Sequence, residues 1–278
     1  MGASCLEMAD RFHGSRPSFI ASLLALLAIP SEAAFAADAT TRSPGDDLVI
    51  ELGGGAKFEP SYEGASDYDV SPFPTIKLEY LNVPGLFTIG GGGDDLGFSI
   101  GPSFNVTGER DSSDHDELTG LNDVDATYEL GLKASYEWEH AEVYGAARYA
   151  FGGAEGFVGD VGANAIFRPT SYLEFKIGPV ATFAGEDYMD TYFGVTPGES
   201  LSTGGRLSAF DAEAGIKSAG VEAKARYEFR EDWFLNAEAS WTSMVADAKD
   251  SPIVEAGDDQ QFTVGLGVSR RFSLDLFD

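Results

Sequence analysis

Tyr128-Glu129-Leu130-Gly131-Leu132-Lys133-Ala134-Ser135-Tyr136-Glu137-Trp138 alternates without a break. Tyr128, Leu130, Leu132, Ala134, Tyr136 and Trp138 form one apolar row, while Glu129, Lys133, Ser135 and Glu137 point the other way. A period of two with charge on the second face describes a strand with one side in an apolar medium and the other in water. The same alternation returns from Leu173 to Phe183, from Trp233 to Trp241 and from Phe262 to Val268. Each run is about as long as a tilted strand must be to cross a bilayer, ~9–11 residues. Together they predict an all-β fold: a transmembrane antiparallel β-barrel of meander topology in an outer membrane.

The N-terminus supports export. Arg11, His13 and Arg16 precede an apolar stretch from Phe19 to Ile29, and Ala34-Phe35-Ala36 offers small residues for cleavage. The expected organisation is a cleaved secretory signal peptide over 1–36, a periplasmic segment over 37–46 and the barrel over 47–278. The apolar stretch is short for a spanning helix, and nothing like a stop-transfer sequence follows it. Cys5, the single cysteine, lies upstream and is expected to leave with the signal, so no disulfide or thiolate metal site is anticipated. No other long apolar run exists, which excludes a helical membrane protein. A soluble β-sandwich also alternates. Against it stand aromatics near strand ends (Tyr128, Trp138, Tyr149, Trp233, Trp241) and full charges on the second face of strand after strand.

The formal charge of -28 is unevenly spread. Glu51, Glu79, Glu129, Glu142, Glu174, Glu222, Glu228 and Glu238 fall on inward positions. Lys57, Lys77, Lys133, Arg148, Lys176, Lys224 and Arg226 accompany them, so the bore is nearly balanced. The excess acid falls in the loops, around Asp67, Asp111 to Glu117, Asp187 and Asp258. Nucleic acid is therefore excluded as a partner. Acidic loops read first as solvated surface, and bridging of divalent cations to lipopolysaccharide is the lesser alternative.

Short connections at 82–85, 137–141, 168–171 and 230–232 alternate with long ones at 59–71, 108–123, 152–156, 185–205 and 247–259. Bacterial barrels keep short turns in the periplasm and have an even strand count. Ten strands satisfy both. Segments 84–107 and 207–230 then become very long, and each changes which parity is apolar. A bulge explains the change; so do tight hairpins at Gly92 to Asp95 and at Ser218 to Gly220, which would make twelve strands.

Between the strands stand distinctive phrases. They are Pro60 to Tyr68, Pro72-Phe73-Pro74, Leu118-Thr119-Gly120-Leu121-Asn122-Asp123, Gly152 to Gly156, Tyr188-Met189-Asp190-Thr191-Tyr192-Phe193-Gly194-Val195 and Asp250-Ser251-Pro252-Ile253-Val254. In this order and spacing the chain resembles the MipA/OmpV family of outer-membrane proteins, from about Leu48 to Phe272. The resemblance implies a barrel that acts as a scaffold for murein-synthesising machinery, joining a lytic transglycosylase to a penicillin-binding protein. Other relatives are treated as osmotic-response or adhesion proteins. Tyr62, Gly64, Pro72, Gly120, Leu121, Asp123, Tyr188, Met189, Tyr192, Phe193, Gly194, Ser251 and Pro252 are the candidate motif and interaction residues. Tyr188 to Val195 has the spacing of a short amphipathic helix that plugs the lumen or rests on the membrane; packing is the favoured reading and a partner surface the other. Two departures stand out: Arg270 occupies a place where an apolar assembly-signal residue is usual, and a tail follows Phe272.

Enzyme signals are weak, and no catalytic residue, cofactor or metal is expected. Gly97-Phe98-Ser99-Ile100-Gly101 matches a nucleophile elbow, but Phe98 and Ile100 continue a strand. His115 and His140, the histidines left after signal removal, fall at opposite barrel ends and cannot cooperate. A protease-like or cation site at His115, among Asp111, Asp114, Asp116 and Glu117, is set beside the plainer reading of a solvated loop. The leading expectation is a non-enzymatic scaffold. The alternatives are a small-solute channel, perhaps osmotically regulated, and an adhesin acting through its outer loops.

Overall fold

The computed structural model describes residues 47–89 and 96–276. The proposed signal and periplasmic segments, and the hairpin at Gly92 to Asp95, lie outside the described residues. Eleven strands follow in order: β1 (Leu48–Pro60), β2 (Tyr68–Val83), β3 (Phe87–Ile89), β4 (Gly97–Thr107), β5 (Thr127–Trp138), β6 (Ala141–Gly152), β7 (Gly156–Thr170), β8 (Leu173–Ala184), β9 (Gly215–Arg230), β10 (Trp233–Met244) and β11 (Gln260–Leu274). Each pairs antiparallel with its sequence neighbour except β3 and β4, which form the two ends of the sheet. The first and last strands join, from Leu48 opposite Leu274 to Phe58 opposite Val264. Closure is left at a seam where β4 comes beside β2; a Cβ on Gly101 would stand 3.9 Å from the Leu78 carbonyl oxygen.

β3 spans three residues, so ten of the eleven strands are long. β3 runs antiparallel to β2, and β4 antiparallel to β5, so both point toward the same barrel end. β3 and β4 therefore belong to one course, and the barrel has ten strands. The second parity change resolves differently. β9 is unbroken, and its register against β8 jumps from Ser218 opposite Thr182 to Ile216 opposite Phe183. Lys217 is the extra residue of a bulge, which turns both Lys217 and Ser218 inward. Residues 207–214, expected to start that strand, belong to the preceding loop.

The alternation separates wall from bore. Leu130 and Leu132 are each 57% exposed on the outside, while Glu129, on the inner face, is 1% exposed. The barrel is tightly coiled: a Cβ on Gly131 would lie 1.9 Å from the Ala147 carbonyl oxygen, and one on Gly178 1.8 Å from that of Ala163. Only glycine permits such an approach. Connections at 139–140, 171–172 and 231–232 close one end. Loops 61–67, 108–126, 153–155, 185–214 and 245–259 gather at the other.

Candidate functional site: a capped mouth over an ionic bore

The long loops do not splay into solvent. Within them α1 (Glu186–Phe193) turns one face inward, with Tyr188, Met189, Tyr192 and Phe193 buried at helical spacing. Glu186 and Asp187 stand at its positive N-terminal end. Its last turn carries no cation of its own; Arg110, from the β4–β5 loop, donates to the carbonyls of Tyr192 at 2.9 Å and Thr191 at 3.3 Å. Burial lowers the Arg110 pKa, yet the guanidinium meets the orphan carbonyls of a helix C-terminus, where a cation is favoured. Around α1 pack Val124, Ala154, Ala212, Met244, Ala248 and Val254. A second cluster holds Tyr62, Leu118, Leu121, Val195, Leu207 and Ile253, and Phe210 packs against both. The five loops thus share a continuous apolar core across the mouth.

Polar ties fix this cap to the rim. The Tyr192 hydroxyl donates to Thr127 Oγ1 at 2.8 Å, and the Ala154 N–H donates to the same oxygen at 2.8 Å. Ser251 donates to the Phe193 carbonyl at 2.6 Å and accepts from Ile253 N at 3.2 Å, capping the short helix Pro252–Ala256. Tyr62 donates to Glu117 at 3.0 Å, and Tyr188 to Glu63 at 3.0 Å, where Lys217 also pairs with Glu63. Burial, reinforced by Glu117 at Tyr62 and by Glu63 at Tyr188, pushes both phenols above their ordinary range. They remain protonated donors.

The structure brings together all but one of the motif residues. Tyr62, Leu121, Tyr188, Met189, Tyr192, Phe193, Ser251 and Pro252 are interior to the cap. Gly64 (φ +94) donates to Gln261 at 3.2 Å, and its carbonyl accepts from Asp258 at 2.8 Å. Gly120 (φ +102) sits where a Cβ would lie 2.8 Å from the Ser202 carbonyl oxygen. Gly194 ends α1, and Asp123 at the rim accepts from Ser112. Pro72 stands apart, exposed on the outer face of β2 opposite Ala56.

Below the cap the bore is crossed by ion pairs. Near the mouth Arg148 holds Glu129 at 2.7 Å and Asp160 at 2.8 Å. Asn164 bridges Glu222 at 2.9 Å and Glu142 at 3.4 Å, while Lys133 lies 4.0 Å over the Tyr144 ring. Toward the turns Lys176 reaches Glu137 at 2.6 Å, Arg226 joins Glu51 to Glu79, and Arg271 holds Glu79 at 2.6 Å. Phe234 underlies Arg226 at 3.6 Å. The inward acids and bases expected from the alternation are all here. Arg110, Thr127 and Lys217 were not anticipated; a lone arginine in an acidic loop and the parity break at 217 were the available signals.

The residues behind the weak catalytic signals sit in strand, turn and packing positions. Ser99 lies within β4, 2.7 Å from Ser135 Oγ, and His140 is an exposed turn residue beside Glu139. Asp67, His115 and Glu117 bring one donor atom each within 4.8 Å of one another. Packing accounts for that cluster: His115 meets the Tyr62 ring edge-on at 5.0 Å, and Glu117 accepts the Tyr62 hydroxyl.

The sequence profile of the family described as MltA-interacting protein MipA matches residues 52–272, a span that holds the cap and nearly every strand. The chain belongs to the MipA family. It is also 26% identical over 265 residues to the "Putative outer membrane protein YiaT" of Escherichia coli K12, covering 90% of this chain and 98% of that one. Among solved structures it is similar to the NanC porin (10% identity, 80% of this chain and 98% of that one, TM-score 0.36). It is similar as well to the N-terminal β-barrel domain of Pseudomonas aeruginosa OprF (15% identity, 63% and 96%, TM-score 0.29). This MipA-family protein is an outer-membrane barrel, and the short-turn end of such a barrel faces the periplasm.

Proposed function

We propose that this MipA-family barrel is a non-enzymatic scaffold that docks murein-synthesising enzymes at the periplasmic side of the outer membrane. The observation that carries the reading is the bore: ion pairs cross it from Glu129 to Glu137, and the loop cap covers its mouth. A barrel so filled is suited to anchoring rather than conduction. The family's description as MltA-interacting supports MltA as one partner; that this partner is a lytic transglycosylase, and that a penicillin-binding protein is the second, rests on the resemblance alone. Motif residues inside the cap then serve to shape it, and partner contact falls to the exposed turns. The test is co-purification from detergent-solubilised envelopes. Retention of both enzymes, lost on grafting unrelated turns at 139–140 and 171–172, is the expected result. Recovery of neither enzyme contradicts the proposal.

A small-solute channel is the second reading. Asn164 Oδ1 in the bore and Glu63 Oε2 beneath the cap are buried without a protein hydrogen-bond partner, polar atoms that a hydrated path would satisfy. Steady conductance altered by Lys133→Gln would favour it.

A further inference from the structure

Alternation and pairing send the charged side chains of the described strands into the bore, with two exceptions. Arg230 ends β9 and Arg270 lies on β11; both are cross-strand partners of Trp233, the first residue of β10. Both are exposed; Arg270 continues the outward row of Leu266 and Val268, and the register shift at Phe229 that sets Arg230 opposite Trp233 brings it to the same outer face. The Arg270 guanidinium stands 5.5 Å from the Trp233 ring and 5.1 Å from the Phe272 ring. Among the described residues neither arginine has a carboxylate partner, although the chain has 46 acids against 18 bases. Its neighbour Arg271 turns inward and finds Glu79. The two outward cations are thus left over by position, not by shortage of acid.

Their height on the wall is informative. The turn Glu231–Asp232 adjoins them, and Tyr172 and Tyr227 form an edge-to-face pair (5.9 Å) at the same end. This is the aromatic girdle of the periplasmic interface, where an outward arginine is nearly free, whereas at the bilayer midplane it is expensive. The leaflet there is phospholipid, and its phosphates lie at girdle height. Guanidinium forks suit phosphate oxygens, and an indole between them packs on the glycerol and upper acyl chain.

We propose that Arg230 and Arg270, with Trp233 between them, bind the phosphate of an anionic phospholipid in the periplasmic leaflet. The site is independent of any docking role. The test uses the full mature protein in neutral detergent, with native mass spectrometry of retained phosphatidylglycerol against phosphatidylcholine. Wild type is expected to retain phosphatidylglycerol selectively. Arg230→Gln/Arg270→Gln is expected to lose roughly twenty-five-fold in affinity, about fivefold for each charge near the surface. Lys249→Gln, which removes an exposed outer-loop charge, is expected to bind as wild type does. Equal retention of the two lipids, undiminished binding by the double variant, tighter binding of lipid A, or displacement by inorganic phosphate would each overturn the proposal. Should the double variant not fold, Arg270→Gln alone is expected to lose about fivefold, and no loss counts against the site.

Discussion

Tyr192 and Thr127 share a 2.8 Å hydrogen bond between the cap helix and the first residue of β5, and Thr127 accepts the Ala154 N–H through the same oxygen. One fully buried hydroxyl therefore ties two loops to the rim. Thr127→Val keeps the shape and strands two buried donors, at a cost of about 2–4 kcal/mol. Tyr192→Phe leaves Thr127 satisfied by Ala154 and costs about 1 kcal/mol. The double variant strands only the Ala154 N–H and should be less destabilised than Thr127→Val alone. Urea unfolding in lipid vesicles measures all three, and additive losses would argue against a shared acceptor.

The Lys217–Glu63–Tyr188 contact makes a second tie, between the bulge of β9, the β1–β2 loop and α1. Lys217→Met leaves the Glu63 carboxylate half-buried against a phenol, a loss of about 3 kcal/mol when one partner of a buried pair is removed. Pairing it with Glu63→Gln should recover part of that loss. Trypsin cleavage within 185–214 is the readout, and it should be fastest in the single variant.

Gly120 has φ +102, and an added methyl would press on the Ser202 carbonyl oxygen at 2.8 Å. Gly120→Ala should cost about 1–3 kcal/mol, from strain in a backbone region that L side chains avoid. The damage should stay local. Faster proteolysis of loops 108–126 and 185–214, with strand protection unchanged, is the expected pattern.

Glu199 closes a capping box with Thr196 on α2 (Pro197–Ser202) and also accepts the Asn122 N–H at 2.9 Å. Burial alone would raise its carboxyl, but the N–H donors of Asn122 and Thr196 outweigh it and hold the pKa below the ordinary glutamate range. A carboxylate whose folded pKa is depressed contributes stability above its unfolded value, and that contribution is lost as pH falls through the folded one. The Asn122 amide resonance should titrate with a midpoint below that of an exposed glutamate of the same protein and stop titrating in Glu199→Gln. A midpoint equal to or above that of an exposed glutamate contradicts the assignment.

What the sequence discloses here is what a strand or helix can say about itself. Tyr128 to Trp138 declares both faces, because period two is local, and Tyr188 to Phe193 declares a helical stripe for the same reason. Register is not local. The parity change near Lys217 was open to a bulge or a hairpin, and only its pairing with β8 decides between them. Arg110 and Thr127 were silent because their partners lie 82 and 65 residues away. Arg270 was visible as a misfit in the last strand, whereas Arg230 acquires meaning only beside Trp233.

The central claim is that cap and ion pairs together close the bore, and single-channel recording in planar bilayers tests it most directly. Wild-type barrels should show no steady conductance, and replacing residues 186–212 with a short glycine–serine linker together with Arg148→Gln and Lys176→Gln should open a stable one. A steady open level in the intact protein, unchanged by that replacement, would contradict the account.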